Sequence, residues 1–387
     1  MYRIDEREVK LVREVIESGN LFRYADGKVA PWTARLESML AEKIGVSHAL
    51  AVSSGTGALI CALAGIGAGP GDEIIVPGYT FIATALAPLA VGAVPVIAEV
   101  DETLTIDPED IERKITPNTK AIVPVHMAGL PCDMDAICAI AEKHDVMIIE
   151  DAAQAAGGEY HGRRFGSIGQ VGILSFNHYK IITAGEGGAV VTNDEMIHKR
   201  AMVYHDGGCV FFDKEAASKN PPFFCGNNYR ISEISSAILT EQVRRLDGIL
   251  KKLRKNKAAM AEVLWGGADF HPSSCNDVDG DCSSTLPLLF ETAEGAAEFL
   301  QRNSEIVSMY RPIETDRHVY SNWEPILQKR AHHPKHNPWD WTARPVEYAK
   351  DMCPATLDIL SRTVSIQTPY DATQAQVVAT AKKLIKI

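Results

Sequence analysis

The sequence predicts an α/β protein whose parallel sheet is covered by helices on both faces, and two observations carry this prediction. Between about residues 48 and 192, short β-rich runs alternate with stretches whose apolar residues have helical spacing. Most of these runs are continuously apolar rather than alternating, which is typical of strands buried on both faces. The chain of 387 residues is also long enough for a second, smaller domain and for a core that encloses a cofactor.

Strands and helices are predicted to alternate along this region. The predicted strands are "HALAVSS", "EIIVPG", "VPVIAEV", "AIVPVH", "VMIIED", "VGILSF" and "AVVTN". Helical spacing of apolar residues predicts helices over "GTGALICALAGIGAG", "TFIATALAPLAVG" and "DMDAICAIAEKHD". These helices connect the strands through short turns, as a parallel sheet requires.

A long amphipathic helix is predicted over residues 231–264, with a break near Gly248. After this helix the composition becomes irregular in "HPSSCNDVDGDCSSTLP", and a shorter mixed α/β tract follows. We therefore expect a domain boundary at about residues 245–265. This gives an N-terminal arm and large domain in residues 1–250 and a small C-terminal domain in residues 251–387.

Composition and charge exclude several classes of protein. The formal charge of -11 argues against a nucleic-acid surface, since binding to phosphate backbones needs a basic face. No apolar run approaches the roughly 20 residues that span a bilayer, and the charged start "MYRIDEREVK" does not resemble a secretory signal peptide. The eight cysteines, at positions 61, 132, 138, 209, 225, 275, 282 and 353, form no CxxC pair. We expect a cytoplasmic protein with reduced thiols, without a metal, and without nucleic-acid or membrane partners.

Polar residues at the ends of the predicted strands are candidates for a ligand site. In "AVSSGTGAL", small residues lead from a strand into a helix, where backbone N–H groups can bind a phosphate; Ser and Thr there are also ordinary N-caps. Glu150 and Asp151 end another strand and could cap a helix, bind a metal or hold a cationic group. Lys180 follows an apolar run and precedes the glycine-rich turn "GEGG".

These residue types together match what pyridoxal phosphate requires. This cofactor needs a lysine for a Schiff base, an acid for its pyridinium nitrogen, a phosphate-binding turn and an apolar face for its ring. Thr56, Phe81, Asp151, Ser175 and Lys180 provide these types at loop positions. An oxidoreductase that binds a dinucleotide would share the α/β pattern, but no GxGxxG follows the first strand.

Several segments resemble successive motifs of the DegT/DnrJ/StrS family of pyridoxal-phosphate sugar aminotransferases. They are "SSGTGAL", "GDEIIVPGYTFIATA", "EDAAQAAGGEYHGRRFGSIG", "SFNHYKIITAGEGGAVVT" and "GNNYRISEISSA". The resemblance covers roughly residues 18–245. It implies the fold-type I aminotransferase architecture, with a mostly parallel sheet in a large αβα domain and a smaller C-terminal α/β domain. It also implies a homodimer with active sites at the subunit interface.

The same resemblance assigns roles residue by residue. Lys180 would form the Schiff base, Asp151 would contact the pyridinium nitrogen, Gln154 would lie near the ring hydroxyl and Phe81 would stack on the ring. The phosphate would be held by Gly55, Thr56, Gly57 and Ser175, and by Asn228 from the other chain of the dimer.

The resemblance also implies the chemistry. Lys180 favours transamination over the dehydration carried out by relatives with histidine at this position, and L-glutamate is the implied amino donor. His178 stands where many relatives have proline, so it is a candidate for substrate contact or proton transfer and equally for a structural role. A dehydratase, a synthase of an aromatic amino acid and a non-catalytic regulator remain alternatives.

The acceptor is expected to be a keto or aldehydo sugar. Most of the family aminates nucleotide-linked keto sugars. The segments "GNLFRYADGK" and "RHVYSNWEPILQKRAHHPKHNPW" instead resemble the subgroup that aminates an eight-carbon 3-deoxy-octulosonate, giving an 8-amino sugar for lipopolysaccharide. Such a substrate carries a carboxylate, for which Arg23, Arg230 and His318 are the candidate partners.

Overall fold

The structure is a computed structural model that describes residues 3–208, 222–265 and 269–385. Cys209, one of the cysteines expected to be reduced, lies outside the described residues. The other seven cysteines are free thiols. None of the helices in these ranges combines the length and the apolar character that crossing a membrane needs.

The α-helices alternate with strands through much of the chain. They are α1 (Glu6–Ser18), α2 (Pro31–Ile44), α3 (Gly55–Gly65), α4 (Ala83–Val91), α5 (Pro108–Lys114), α6 (Met134–His144), α7 (Glu195–His205), α8 (Glu233–Leu264), α9 (Ala293–Asn303), α10 (Glu324–Leu327), α11 (Pro354–Ser361) and α12 (Gln374–Leu384). Short 3₁₀ turns cover Met127–Gly129, Pro312–Glu314, Tyr320–Asn322 and Pro338–Trp341.

The strands form two larger sheets and two short hairpins. They are β1 (Tyr24–Ala25), β2 (Lys28–Val29), β3 (His48–Val52), β4 (Glu73–Pro77), β5 (Val94–Ala98), β6 (Thr119–Ile122), β7 (Met147–Asp151), β8 (Glu159–Tyr160), β9 (Arg163–Arg164), β10 (Val171–Ser175), β11 (Gly188–Thr192), β12 (Phe270–Pro272), β13 (Thr285–Phe290), β14 (Met309–Tyr310) and β15 (Thr363–Gln367).

The central sheet contains all seven predicted strands, in the order β3-β11-β10-β7-β6-β4-β5. Its neighbours pair in parallel except for β11, which is antiparallel to both β3 and β10. The predicted α/β class with a mostly parallel sheet is confirmed. The antiparallel strand arises because β10 and β11 are joined by a loop without a crossover helix, so the chain turns straight back. Lys180 lies in this loop.

Helix α8 is continuous from Glu233 to Leu264, so the predicted break near Gly248 is wrong. Glycine in a helix interior costs only about 1 kcal/mol relative to alanine. Leu246, Ile249 and Leu250 are buried on either side of Gly248, and this packing outweighs the cost. A Cβ atom at Gly248 would meet no atom within 4 Å, so the glycine has no close-packing role.

Two hydrophobic cores lie along α8. Leu250 and Leu253 belong to the core of the central sheet, whereas Met260 and Leu264 belong to a second core with Phe299. The second core packs on an antiparallel sheet of order β12-β13-β15-β14. The division at residue 250 falls inside this helix and stays a prediction.

The chain returns from the second sheet to the first core. Buried residues between 319 and 360, such as Trp323 and Leu360, pack with the central sheet. Backbone hydrogen bonds fasten this return to the end of β4: Thr80 N–H donates to the oxygen of His318 (2.9 Å), and Ile82 N–H to that of Arg317 (2.8 Å). Arg317 and His318 are thereby held over the carboxyl end of the sheet.

Candidate active site

A cavity of about 600 Å³, called the main cavity below, lies at the carboxyl ends of the parallel strands. Its walls include residues that directly follow β3, β4, β7 and β10, which is where open α/β sheets bind ligands. The main cavity brings together these predicted site residues: Gly55, Thr56, Phe81, Asp151, Gln154, Ser175, Lys180 and His318.

The N-terminus of α3 faces the main cavity. Its N-cap is Ser54, whose Oγ accepts a hydrogen bond from the N–H of Gly57 at 3.0 Å. The N–H groups of Gly55 and Thr56 have no acceptor within the described residues. Two unpaired N–H groups at the positive end of a helix form an anion site. Gly57, which was also predicted to hold the phosphate, does not line the main cavity, and its N–H is already used by the cap.

Small residues allow α3 to approach the neighbouring strands closely. A Cβ on Gly55 would lie 2.6 Å from Cβ of Ser175, and one on Gly188 would lie 2.4 Å from the oxygen of Ser54. Any larger side chain would push α3 away from β10 or β11. The glycines therefore set the distance between the helix N-terminus and the hydroxyl of Ser175.

Asp151 is the buried acid of the main cavity, with 3% of its surface exposed. Oδ1 accepts a hydrogen bond from the N–H of Ala153 (3.0 Å), and Oδ2 accepts one from the hydroxyl of Thr84 (2.9 Å). Burial raises the pKa of Asp151, while these two hydrogen bonds and the charge of Lys180 oppose the rise. Each carboxylate oxygen keeps a further lone pair for a cationic N–H group.

Glu150 points the other way, as alternation along a strand requires. Its carboxylate accepts hydrogen bonds from the N–H groups of Gly166 (2.9 Å), Ile168 (2.5 Å) and Gly169 (2.7 Å), and lies 3.2 Å from Nε2 of His126. Of the two acids that end β7, Glu150 thus fixes the turn before β10, and Asp151 faces the cavity.

Lys180 reaches the main cavity from the loop between β10 and β11. Burial lowers the pKa of Lys180, and the charge of Asp151 opposes this effect. No hydrogen bond or ion pair of its Nζ joins it to another described residue. A partly desolvated amine of this kind is a stronger candidate for a nucleophile or base than an exposed lysine.

The loop that carries Lys180 is held by its own hydrogen bonds. Thr183 Oγ1 donates to the oxygen of Phe176 (2.9 Å), and the N–H of His178 donates to the oxygen of Gly185 (3.0 Å). Nδ2 of Asn177 donates to Oε1 of Glu186 (3.0 Å). Glu186 therefore shapes the loop and also lines the main cavity.

Aromatic and amide groups complete the walls. The rings of Phe81 and His318 lie 5.4 Å apart at 55°. Burial and the nearby charge of Lys180 lower the pKa of His318 to about 4, so this ring is neutral at pH 7. Oε1 of Gln154 accepts a hydrogen bond from the N–H of Ala128 (3.3 Å).

Four other predicted residues do not line the main cavity. Arg23 is 1% exposed, and its guanidinium donates to Glu37 (2.7 Å) and to the oxygen of Ala51 (3.1 Å). It is therefore corrected from a candidate substrate contact to a buried structural residue. Arg230 pairs with Asp206 at 2.6 Å, and His178 and Asn228 are exposed outside the cavity.

Thr84, Arg317 and Tyr179 are among the residues of the main cavity that sequence patterns missed. Thr84 lies four residues after Thr80, and the two hydroxyls are 2.9 Å apart. Two threonines with this helical spacing are the sequence pattern that could have identified Thr84. Arg317 and Tyr179 gave no signal, because the first is brought in by the returning chain and the second is an exposed neighbour of Lys180.

The geometry offers one anion site, one buried acid and one desolvated amine around a single space. Across residues 3–208, 222–265 and 269–385, no group of three or more His, Cys, Asp or Glu side chains is placed to hold a metal ion. The arrangement suits a ligand that carries a phosphate, a cationic ring nitrogen and a carbonyl carbon reactive toward an amine.

Comparison with known proteins identifies relatives along nearly the whole chain. Residues 2–384 match the DegT/DnrJ/EryC1/StrS aminotransferase family. L-glutamine:2-deoxy-scyllo-inosose aminotransferase from Streptoalloteichus tenebrarius is 35% identical over 292 residues, which is 70% of this chain and 68% of that protein. GDP-perosamine synthase from Caulobacter vibrioides is 39% identical over 246 residues, 63% of this chain and 64% of that one.

A solved structure extends the similarity to the fold. The crystal structure of 3-amino-5-hydroxybenzoic acid synthase is 30% identical, has a TM-score of 0.81, and covers 99% of this chain and 96% of its own. Together with the mixed seven-stranded sheet, this likeness confirms the fold-type I architecture.

Proposed function

We propose that this chain, which belongs to the DegT/DnrJ/EryC1/StrS aminotransferase family, transfers an amino group from an amino acid to a carbonyl sugar or cyclitol with pyridoxal phosphate as cofactor. One observation carries the proposal. The amine of Lys180, the carboxylate of Asp151 and the free N–H groups at the start of α3 line the same 600 Å³ cavity.

The donor set of the main cavity fits pyridoxal phosphate. The N–H groups of Gly55 and Thr56 and the hydroxyl of Ser175 would hold the phosphate, because they lie together where α3 meets β10. Asp151 would hold the proton on the ring nitrogen, and Phe81 would lie against the ring. Gln154 would contact the ring hydroxyl. The bound cofactor supplies a ring that accepts the electron pair left on the substrate carbon.

Lys180 and Asp151 would carry out proton transfer and charge stabilisation, respectively. As a neutral amine, Lys180 takes the proton from the α-carbon of the donor and later returns a proton to the carbon that becomes aminated. Asp151 stabilises positive charge at the ring nitrogen throughout, because it is buried and already oriented by Thr84. Overall, the donor becomes a 2-oxo acid, and its amino group replaces the carbonyl oxygen of the acceptor.

A homodimer is part of the proposal, with Asn228 of each chain reaching the phosphate in the other chain's site. Asn228 is exposed, and Leu21 and Phe22 near Arg230 are about half exposed, with 50% and 48% accessible surface. Exposed apolar side chains beside the segment that carries Asn228 are consistent with a contact between two chains there. The free thiols agree with a reducing compartment, and we propose a cytoplasmic enzyme.

The acceptor is proposed at the level of a chemical class. The names of two relatives point to deoxy-inosose and to a nucleotide-linked sugar, and the subgroup resemblance points to an eight-carbon octulosonate for lipopolysaccharide. L-glutamate is the donor that the family resemblance implies, and L-glutamine is the donor in the names of several relatives. The alternative function is that of a synthase or dehydratase of the same family, since one similar structure is a synthase.

The proposal is tested with protein reconstituted with pyridoxal phosphate. Addition of an amino donor should bleach the visible absorbance, and addition of keto and aldehydo sugars should then restore it, with aminated products detected by mass spectrometry. Lys180→Ala should lose the absorbance and the turnover, and Lys180→Arg, which keeps the charge, should not recover turnover. Loss of water without amine transfer would favour the dehydratase, and an active Lys180→Ala enzyme would refute the mechanism.

A further inference from the structure

A second cavity of about 170 Å³, called the side cavity, adjoins the main cavity. The two share Gln154, Tyr179, Lys180 and His318. A group attached to the carbon that reacts beside Lys180 can therefore extend into the side cavity. Cavities of about 150 Å³ hold six-atom rings, so the space suits a chain of five or six heavy atoms.

The far wall of the side cavity comes from the second sheet and is polar but uncharged. It is formed by Ser284, Thr285, Tyr310 and Gln367. Among the described residues that line the side cavity, the cationic candidates are Lys180 and His318, and His318 is neutral at pH 7 because burial and Lys180 lower its pKa to about 4. Ser284 and Thr285 are buried, so a carboxylate that reached them would lose water without gaining a cation at the far wall.

The hydrogen-bonding groups on this wall include both a donor and acceptors. Ser284 Oγ and Thr285 Oγ1 donate to the oxygen of Ala128 (2.6 and 3.3 Å), so their own lone pairs remain to accept. Oε1 of Gln367 already accepts from Ser308 Oγ (3.1 Å), which leaves its NH₂ group to donate. A primary carboxamide offers the matching NH₂ and C=O groups, whereas a carboxylate only accepts.

The main cavity, unlike the far wall of the side cavity, includes an exposed cationic residue. Arg317 lines it with an exposed guanidinium, which is suited to the α-carboxylate of an amino acid. An amino donor whose α-amino group lies at Lys180 can thus place its charged end near Arg317 and its side chain in the side cavity.

We propose that the side cavity binds the carboxamide of the amino donor and makes the enzyme select L-glutamine over L-glutamate. This proposal rests on the proposed aminotransferase function. Ser284, Thr285 and Gln367 are the residues that set the specificity.

The experiment follows the first half of the reaction with reconstituted enzyme and either amino acid. The rate of cofactor bleaching per unit donor concentration is compared for L-glutamine and L-glutamate. We expect L-glutamine to be preferred about tenfold or more, which corresponds to the cost of one poorly paired polar group. A preference for L-glutamate, or none, would overturn the inference and leave the proposed function standing. If neither amino acid bleaches the cofactor, the proposed function fails and this inference fails with it.

Two variants of opposite charge at one exposed position sharpen the test. Gln367 lies at the end of β15 and is exposed, so both changes should leave the fold intact. Gln367→Lys should shift the preference several-fold toward L-glutamate, and Gln367→Glu should shift it toward L-glutamine. An unchanged ratio in both variants would overturn the inference.

A binding measurement without turnover provides a second readout. Butyramide and butyrate carry the two side-chain ends but have no amino group to react. Butyramide should raise the unfolding temperature of the reconstituted enzyme more than butyrate at the same concentration. Gln367→Lys should reverse this order, and equal stabilisation by both compounds in the unmodified enzyme would contradict the proposal.

Discussion

The hydroxyl of Thr84 donates a 2.9 Å hydrogen bond to Oδ2 of Asp151, so an uncharged side chain at the start of α4 orients the buried acid of β7. Thr84 Oγ1 is itself 2.9 Å from Oγ1 of Thr80. The two threonines therefore form a short chain of hydroxyls that ends at the carboxylate. Such a chain favours the ionised acid, which is the form that can hold a proton on a ring nitrogen.

We expect Thr84→Val to weaken catalysis without unfolding the protein. The change keeps the shape of the side chain but leaves Oδ2 of Asp151 without its donor, so the pKa of Asp151 should rise further. The affinity for pyridoxal phosphate and kcat should fall by about tenfold, as measured by absorbance titration and by amine transfer. Thr80→Val is the matched control, because Thr80 does not contact Asp151, and its effect should be smaller. Equal effects of the two changes would contradict a direct role for Thr84.

We expect Gly55→Ala to damage the anion site at α3. The added Cβ would lie 2.6 Å from Cβ and 2.8 Å from Oγ of Ser175, so the helix must move away from β10. The free energy of unfolding should fall by about 1–3 kcal/mol. The affinity for pyridoxal phosphate should fall as well, as followed by fluorescence or absorbance.

Gly248→Ala is the control for this change, since a Cβ there meets no atom within 4 Å. It should stabilise α8 by about 0.5–1 kcal/mol and leave cofactor affinity unchanged. A Gly55→Ala protein with the cofactor affinity of the unmodified enzyme would show that α3 does not bind the phosphate.

We expect His318 to make stability sensitive to acid. Its pKa is lowered to about 4 in the folded protein, whereas an unfolded histidine titrates near 6.5. As the pH falls through this window, the unfolded chain binds a proton that the folded chain does not, so stability is lost. The unfolding free energy of His318→Asn, measured with urea, should therefore fall less between about pH 7 and pH 5 than that of the unmodified enzyme.

His198→Asn separates this stability effect from function. The pKa of His198 is also lowered to about 4, by burial and by the nearby charges of His48 and Arg23, but this residue does not line the main cavity. Both variants should show the same change in acid sensitivity, and only His318→Asn should lower kcat/KM. That loss should be uniform from about pH 6 to pH 8, because the ring stays neutral there. A loss that varied with pH in this range would indicate that His318 exchanges protons during the reaction.

The sequence predicted the strands of the central sheet because each buried strand is a local apolar run between turns. The same local signals singled out Asp151, which ends a strand, and Lys180, which lies in the loop after another strand. Arg317 and the wall of the side cavity were not predictable from local patterns, since these residues lie far from Asp151 in the sequence and reach the site only through tertiary packing of the C-terminal part of the chain. The prediction that Arg23 contacts the substrate was wrong for a related reason. Its guanidinium pairs with Glu37 of α2, and this contact forms only when α2 packs in the folded protein.

The adjacent acids of β7 should separate stability from catalysis. Glu150→Gln replaces one acceptor of the N–H groups of Gly166, Ile168 and Gly169 by an NH₂ group, and should destabilise the protein by about 2–4 kcal/mol. Enzyme that remains folded should keep most of its activity, because Glu150 points away from the main cavity.

Asp151→Asn should behave in the opposite way: it removes a buried charge at little cost in stability, and should lower kcat by about a hundredfold or more. Urea unfolding measures the stability of both variants, and an amine-transfer assay measures their kcat. A Glu150→Gln enzyme that is fully stable but inactive, or an Asp151→Asn enzyme that is active, would reverse the roles assigned to these neighbours.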